Sequence, residues 1–163
     1  MRLVWLSVTL LALSSPSLLA QGGASAPRVA ACPYTAAEVS TALGFEVKDG
    51  APGRESSFGG GRTTSCRYEA KRPASPLFTV NLVIMDDANS KDTTFLKFAA
   101  GKMVPIGGDT DGAMWQTDQG DVTNATLWYL RRGVTVEARV WVNPRDPTFD
   151  DVRARLAKLR RIP

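Results

Sequence analysis

Residues 125–142 read Ala-Thr-Leu-Trp-Tyr-Leu-Arg-Arg-Gly-Val-Thr-Val-Glu-Ala-Arg-Val-Trp-Val, and no other stretch restricts the possible folds so strongly. Val134, Val136, Ala138, Val140 and Val142 alternate with Thr135, Glu137, Arg139 and Trp141. A period of two with β-branched residues on one side is the pattern of a half-buried strand. Residues 126–130 are equally strand-like, so Arg131-Arg132-Gly133 becomes the turn of a β-hairpin. Arginine adopts positive φ poorly, which argues against a two-residue type I′ turn and for a three-residue loop with Gly133 left-handed. That register sets Leu130 opposite Val134 and Trp128 opposite Val136, with both large side chains on the valine face. Leu127, Tyr129 and Trp141 then share the other face with Thr135, Glu137 and Arg139. Tyr129, Trp141, Arg139 and Glu137 are therefore the candidate binding surface, aromatics set among charges.

The start of the chain supplies the compartment. Arg2, an apolar run over 3–13 and small residues up to Ala24 have the layout of a secretory signal, with cleavage after Ala20 or Ala24. The expected organisation is a signal and cleavage region over 1–24, a flexible segment over 25–31 and a single α+β domain over 32–163. Val29-Ala30-Ala31-Cys32 matches a lipobox superficially, but Gln21 to Arg28 separate it from the apolar run. Two cysteines in an exported chain usually pair, so Cys32 and Cys66 are expected to form a disulfide. An exported location, periplasmic or secreted, follows in a context that looks bacterial. The net charge of +4 falls by one unit on removal of Arg2, a mild excess that selects no partner.

Along the mature chain, Thr35-Ala36-Ala37-Glu38 is a capping box, and Val39, Ala42 and Leu43 follow at helical spacing, which predicts a helix over 36–43 stopped by Gly44. Residues 45–47 begin a strand, and the glycine-rich 49–62 form a long loop or a wide hairpin connection. That glycine run lacks the following Gly-Lys-Ser/Thr that a phosphate loop requires. Strands are expected over 63–70 and 77–85, the second with Phe78, Val80, Leu82 and Ile84 alternating. A helix over about 90–102 would carry Phe95, Phe98, Ala99 and Met103 as its apolar stripe. A strand around 113–116 and the hairpin follow. After Asp146-Pro147 comes an amphipathic helix with Phe149, Val152, Leu156 and Leu159 on one side and Arg153, Arg155, Lys158, Arg160 and Arg161 on the others. The expected fold is α+β, an antiparallel sheet of about five to six strands with two to three packed helices in the order α-β-β-β-α-β-β-β-α.

Candidate chemistry is sparse. The chain has no histidine, the commonest general base and metal ligand, and no Gly-x-Ser-x-Gly or Ser-x-x-Lys motif, so no catalytic residue is assigned and no cofactor is implied. Asp109, Asp111, Asp118 and Asp121 form the one oxygen-rich cluster, but Ala113 and Met114 stand where an EF-hand needs a ligand and a glycine. They are weak metal candidates and the basis of an alternative reading, a small cation-dependent hydrolase. The basic terminal helix suggests contact with a membrane surface, whereas interleaved aromatics for nucleic acid are missing. The leading expectation is a non-catalytic binding or accessory domain that meets a protein or small ligand of the envelope through the hairpin's outer face and the glycine-rich loop.

Cys32 before Pro33, the Thr-x-x-Glu-Val helix ending in Leu43-Gly44, Ser65-Cys66-Arg67-Tyr68 and Gly107-Gly108-Asp109 followed by Ala113 and Trp115 together resemble a group of small exported bacterial domains of unknown function, lipoprotein-like and kinase-ectodomain-like. Thr110-Asp111-Gly112 interrupts the pattern, and no acylatable cysteine adjoins the apolar leader. The resemblance implies an α+β sandwich bridged between Cys32 and Cys66, and it carries no catalytic residue across.

Overall fold

A computed structural model describes residues 25–72, 76–92, 102–117, 124–143 and 145–163. The elements in chain order are α1 (Ala36–Leu43), β1 (Ala51–Pro52), β2 (Ser56–Phe58), β3 (Gly61–Tyr68), β4 (Leu77–Met85), β5 (Lys102–Pro105), β6 (Met114–Thr117), β7 (Ala125–Arg131), β8 (Val134–Trp141) and α2 (Phe149–Ala157). The eight strands form one antiparallel sheet in the order β1-β3-β4-β8-β7-β6-β5, with β2 also paired to β3. The fold class is thus α+β with an antiparallel sheet, as the patterning indicated.

Three of the eight strands were not expected: β5, at Lys102–Pro105, and β1 and β2 in the glycine-rich region. There β1 and β2 both lie along β3, with Ala51 opposite Arg67 and Ser56 opposite Thr63. The strand begun at 45–47 is only a bridge between Val47 and Ala70. The segment 90–102 is a correction at its end, because Lys102 and Met103 belong to β5. Residues 90–92 are described and form no helix, while 93–101, with Phe95, Phe98 and Ala99, lie outside the described residues, as do the leader 1–24, Asp118 and Asp121.

Local chemistry accounts for the helices. In α1 the Thr35 hydroxyl accepts from the Glu38 N–H while the Glu38 carboxylate accepts from the Thr35 N–H, satisfying two otherwise orphaned donors. Gly44 closes it at φ 78°, a left-handed cap that a side chain would disfavour. In α2 the acids Asp150 and Asp151 sit in the first turn and Arg155 in the last, the arrangement that complements the helix dipole.

Both helices pack on one face of the sheet. Val39 and Leu43 of α1 and Val152 and Leu156 of α2 join Phe78, Val80, Leu82, Ile84, Val136 and Val140 in the core, each large side chain contributing about 1.5–3 kcal/mol on burial. Cys32 and Cys66 form the expected disulfide and tie the segment before α1 to β3. Beside it the Tyr68 hydroxyl donates to the Tyr34 carbonyl and accepts from the Tyr34 N–H.

The hairpin forms, but its register is one residue from the expected one. Arg131 pairs with Val134, Tyr129 with Val136 and Leu127 with Ala138. The turn is therefore Arg132-Gly133, with φ of 49° and 71°. Both residues are left-handed, as a type I′ turn requires. Holding arginine there costs about 1–2 kcal/mol. The register it permits places Leu127 and Tyr129 against the helices, and burying two large side chains outweighs that cost. Turn chemistry alone pointed the wrong way because it omitted this packing. Gly133 is obligatory for a second reason, since a Cβ on it would lie 2.6 Å from the Asp87 carbonyl oxygen.

Candidate functional site

The corrected register divides the proposed hairpin surface. Tyr129 is on the helix side and buried, whereas Glu137, Arg139 and Trp141 stay on the opposite face. The Tyr129 hydroxyl accepts from the Ile162 N–H at 3.0 Å, and the Arg161 guanidinium lies 4.7 Å from its ring centre. Burial raises the Tyr129 phenol above its ordinary value, opposed by the Ile162 N–H and by Arg161. Tyr129 is thus no member of an exposed face with Trp141.

On the outer face, hydrogen bonds run along and across the strands. Asn81 Nδ2 donates to Glu137 Oε2 at 3.0 Å, Glu137 pairs with Arg139, and Arg139 stacks 5.4 Å from the Trp141 ring centre. Trp128 Nε1 donates to Gln116 Oε1 at 2.7 Å. Thr126, Trp128, Thr135 and Glu137 are all buried here, so this face is polar without being open to solvent. Trp141, at the strand end, is 42% exposed.

The aspartates follow a structural logic too. Asp109 Oδ1 accepts from the N–H groups of Asp111 and Ala113, and its Oδ2 accepts from Arg161 at 2.6 Å. Asp111 lies 3.9 Å from both Arg161 and Arg131. Burial would raise the Asp109 carboxyl, but the Ala113 N–H, Arg161 and the Asp111 N–H together hold it below the usual aspartate range. Asp109 therefore braces the loop between β5 and β6 and anchors the segment after α2. Among the described residues, no group of three or more acids, cysteines or histidines is placed to hold a metal ion. Asp118 and Asp121 lie outside the described residues.

The arginines around α2 are likewise engaged within the fold. Arg153 stacks on Trp115, Arg155 pairs with Asp151, and Arg160 pairs with Glu38 while covering the Tyr34 ring. With Arg161 bound to Asp109, four of the five basic side chains read as a membrane-facing patch make contacts within α2, to α1, to the sheet or to the β5–β6 loop.

The fold does bring two of the singled-out residues together at one opening. A cleft of about 580 Å³ lies at the turn end of the hairpin and includes Tyr129 and Asp111 in its wall. Three separate segments build it: the hairpin end with Leu130, Arg132 and Gly133, the β5–β6 loop with Gly112 and Met114, and residues 88–91 after β4. The last segment turns because the Asp87 carboxylate accepts from the Asn89 N–H at 2.8 Å and the Asp87 carbonyl from the Ser90 N–H at 2.9 Å. The hairpin turn is tied to the end of β4, just before this segment, by the Met85 N–H donating to the Gly133 carbonyl. The size lies within the range of small-molecule pockets, and the mix of an apolar wall with a few polar groups is their usual lining. Sequence reasoning missed Lys91, Met114, Leu130 and Arg132 as one wall because the segments that carry them approach only once the sheet is built, and no spacing in the chain relates them.

No protein-family model matches the chain, and no curated protein or solved structure matches it at a significant level.

Proposed function

We propose that this chain is an exported, non-catalytic binding or accessory domain that receives a small ligand in the cleft at the hairpin end. The observation that carries the reading is the cleft itself, assembled from three segments of the chain around Tyr129 and Leu130. Support for export comes from the signal-like 1–24 and from the Cys32–Cys66 disulfide, a bond that persists in oxidising compartments. The competing hydrolase would have to withdraw Asp109 from Arg161 and from two backbone donors before its carboxylate could bind a cation. That cost disfavours it.

The test is a titration of the purified protein with the neutral dye N-phenyl-1-naphthylamine. The expected result is saturable binding of one dye per chain, abolished by Leu130→Trp, which fills the cleft, with thermal unfolding unchanged. Absence of binding, or binding indifferent to Leu130→Trp, would overturn the reading.

A second contact surface is favoured by Trp141, the exposed end of the Asn81–Glu137–Arg139–Trp141 row. A photo-crosslinking amino acid at Trp141 should trap an envelope partner that the same substitution at the exposed Lys48 does not. Identical adducts at both positions would remove that surface.

A further inference from the structure

The cleft's charge and the chemistry of its wall narrow what it can hold. Met114 and Leu130 project from the same face of neighbouring strands, since Met114 is opposite Trp128 and Leu130 is two residues further along β7. With Ala88 they give one side of the opening an apolar surface. The mouth is different. Arg132 at the turn and Lys91 on the facing segment are both exposed, and neither has a carboxylate within ion-pair distance among the described residues. Asp111, the acid in the wall, is already flanked by Arg131 and Arg161. An incoming cation would meet two uncompensated positive charges and a carboxylate held by two arginines. An incoming anion would meet two bases free to pair with it, one of them presented by a turn whose backbone is fixed at positive φ.

We infer that the cleft takes a small amphiphilic anion, its apolar body against Met114 and Leu130 and its charged head between Lys91 and Arg132. This rests on the cleft being the binding site. Its volume, about 580 Å³, suits a single compact molecule. The left-handed Arg132 acquires a reason under this reading: a glycine there would relieve the backbone and remove the positive head-group partner.

Two probes sharing one body separate the inference from the reading beneath it. N-phenyl-1-naphthylamine is neutral, and 8-anilinonaphthalene-1-sulfonate adds an anionic group to the same rings. The sulfonate is expected to bind at least about tenfold more tightly at low salt, and Arg132→Glu combined with Lys91→Glu to erase about that factor. The neutral dye should change by less than about twofold in the same variant, and added salt should weaken only the sulfonate. Arg145→Glu with Lys158→Glu, an equal change of charge at exposed bases outside the cleft, should leave both affinities alone.

If Leu130→Trp blocks both dyes but the charge reversals leave the sulfonate unaffected, the cleft stands and the anion inference falls. Tighter binding of the neutral dye, or an equal loss in the control variant, also overturns it. If neither dye binds, or Leu130→Trp obstructs neither, the cleft reading itself has failed. Both reversed residues are exposed, so a cooperative thermal unfolding curve like that of the parent is the expected check on folding.

Discussion

The two faces of β7 and β8 are both buried at their centre, yet they are buried by different chemistry. Towards the helices, Leu127, Tyr129, Val134, Val136 and Val140 make a continuous apolar layer. On the reverse, Trp128 is bonded to Gln116, and Glu137 is bonded to Asn81 and paired with Arg139. An alternating strand is ordinarily read as core on one side and solvent on the other. Here polarity marks which side needs hydrogen-bond partners, and it says little about exposure. Trp128, at 9% relative exposure on the polar face, makes the point.

That contrast can be broken at several strengths. The largest effect is expected from Leu127→Ala on the helix side, about 2–5 kcal/mol of lost stability in a denaturant titration, because the surrounding core closes the cavity only partly. Glu137→Ala should follow at about 1.5–3 kcal/mol, the range of hydrogen bonds to charged groups, since Asn81 and Arg139 lose their shared acceptor. Loss of under about 0.5 kcal/mol, the scale of a surface substitution, would show that the polar face behaves as surface after all. Trp128→Phe should cost at least about 1 kcal/mol by depriving Gln116 of the indole donor, with the smaller ring adding a packing loss. At the turn joining the faces, Arg132→Gly should raise the unfolding midpoint, a gain of up to about 1 kcal/mol from relieving a left-handed non-glycine residue and offset in part by the entropy of glycine in the unfolded chain. A destabilised variant would mean that the arginine side chain contributes to the fold.

Local signals were legible in the sequence wherever a few adjacent residues carry the whole reason for a structure. The Thr35–Glu38 capping box, the alternation through β4, the pairing of the two cysteines and the amphipathic pattern of α2 all correspond to what the chain forms. The register of the hairpin was not legible, because a local preference of Arg132 and a distant packing preference of Leu127 and Tyr129 oppose one another, and only the folded molecule weighs them. The short strands β1 and β2 were hidden because Ala51-Pro52 and Ser56-Ser57-Phe58 are too short to show an alternation and stand among the glycines of a loop-like stretch. For the candidate site, Tyr129 and Asp111 were singled out for other reasons and prove to share a cleft, while its remaining wall depends on loops that approach only after the sheet is built. Asp109 has the composition of a ligand and the hydrogen bonds of a loop brace, a distinction that needs its partners to be visible.

The place of β8 in the sheet also bears on how the molecule is assembled. It lies between β4 and β7, so β4 has an open edge until the partner of Asn81, 56 residues further along the chain, arrives. Pairing at such a separation must overcome loop-closure entropy before its contacts give any return, which slows folding relative to a meander of the same size. A chain made from its N-terminus onward therefore presents the β3–β4 hairpin, with Val80, Leu82 and Ile84 unshielded, well before the strand that completes it exists. During that interval the hazard is association with another copy along the β4 edge, and it ends when β8 zips into place.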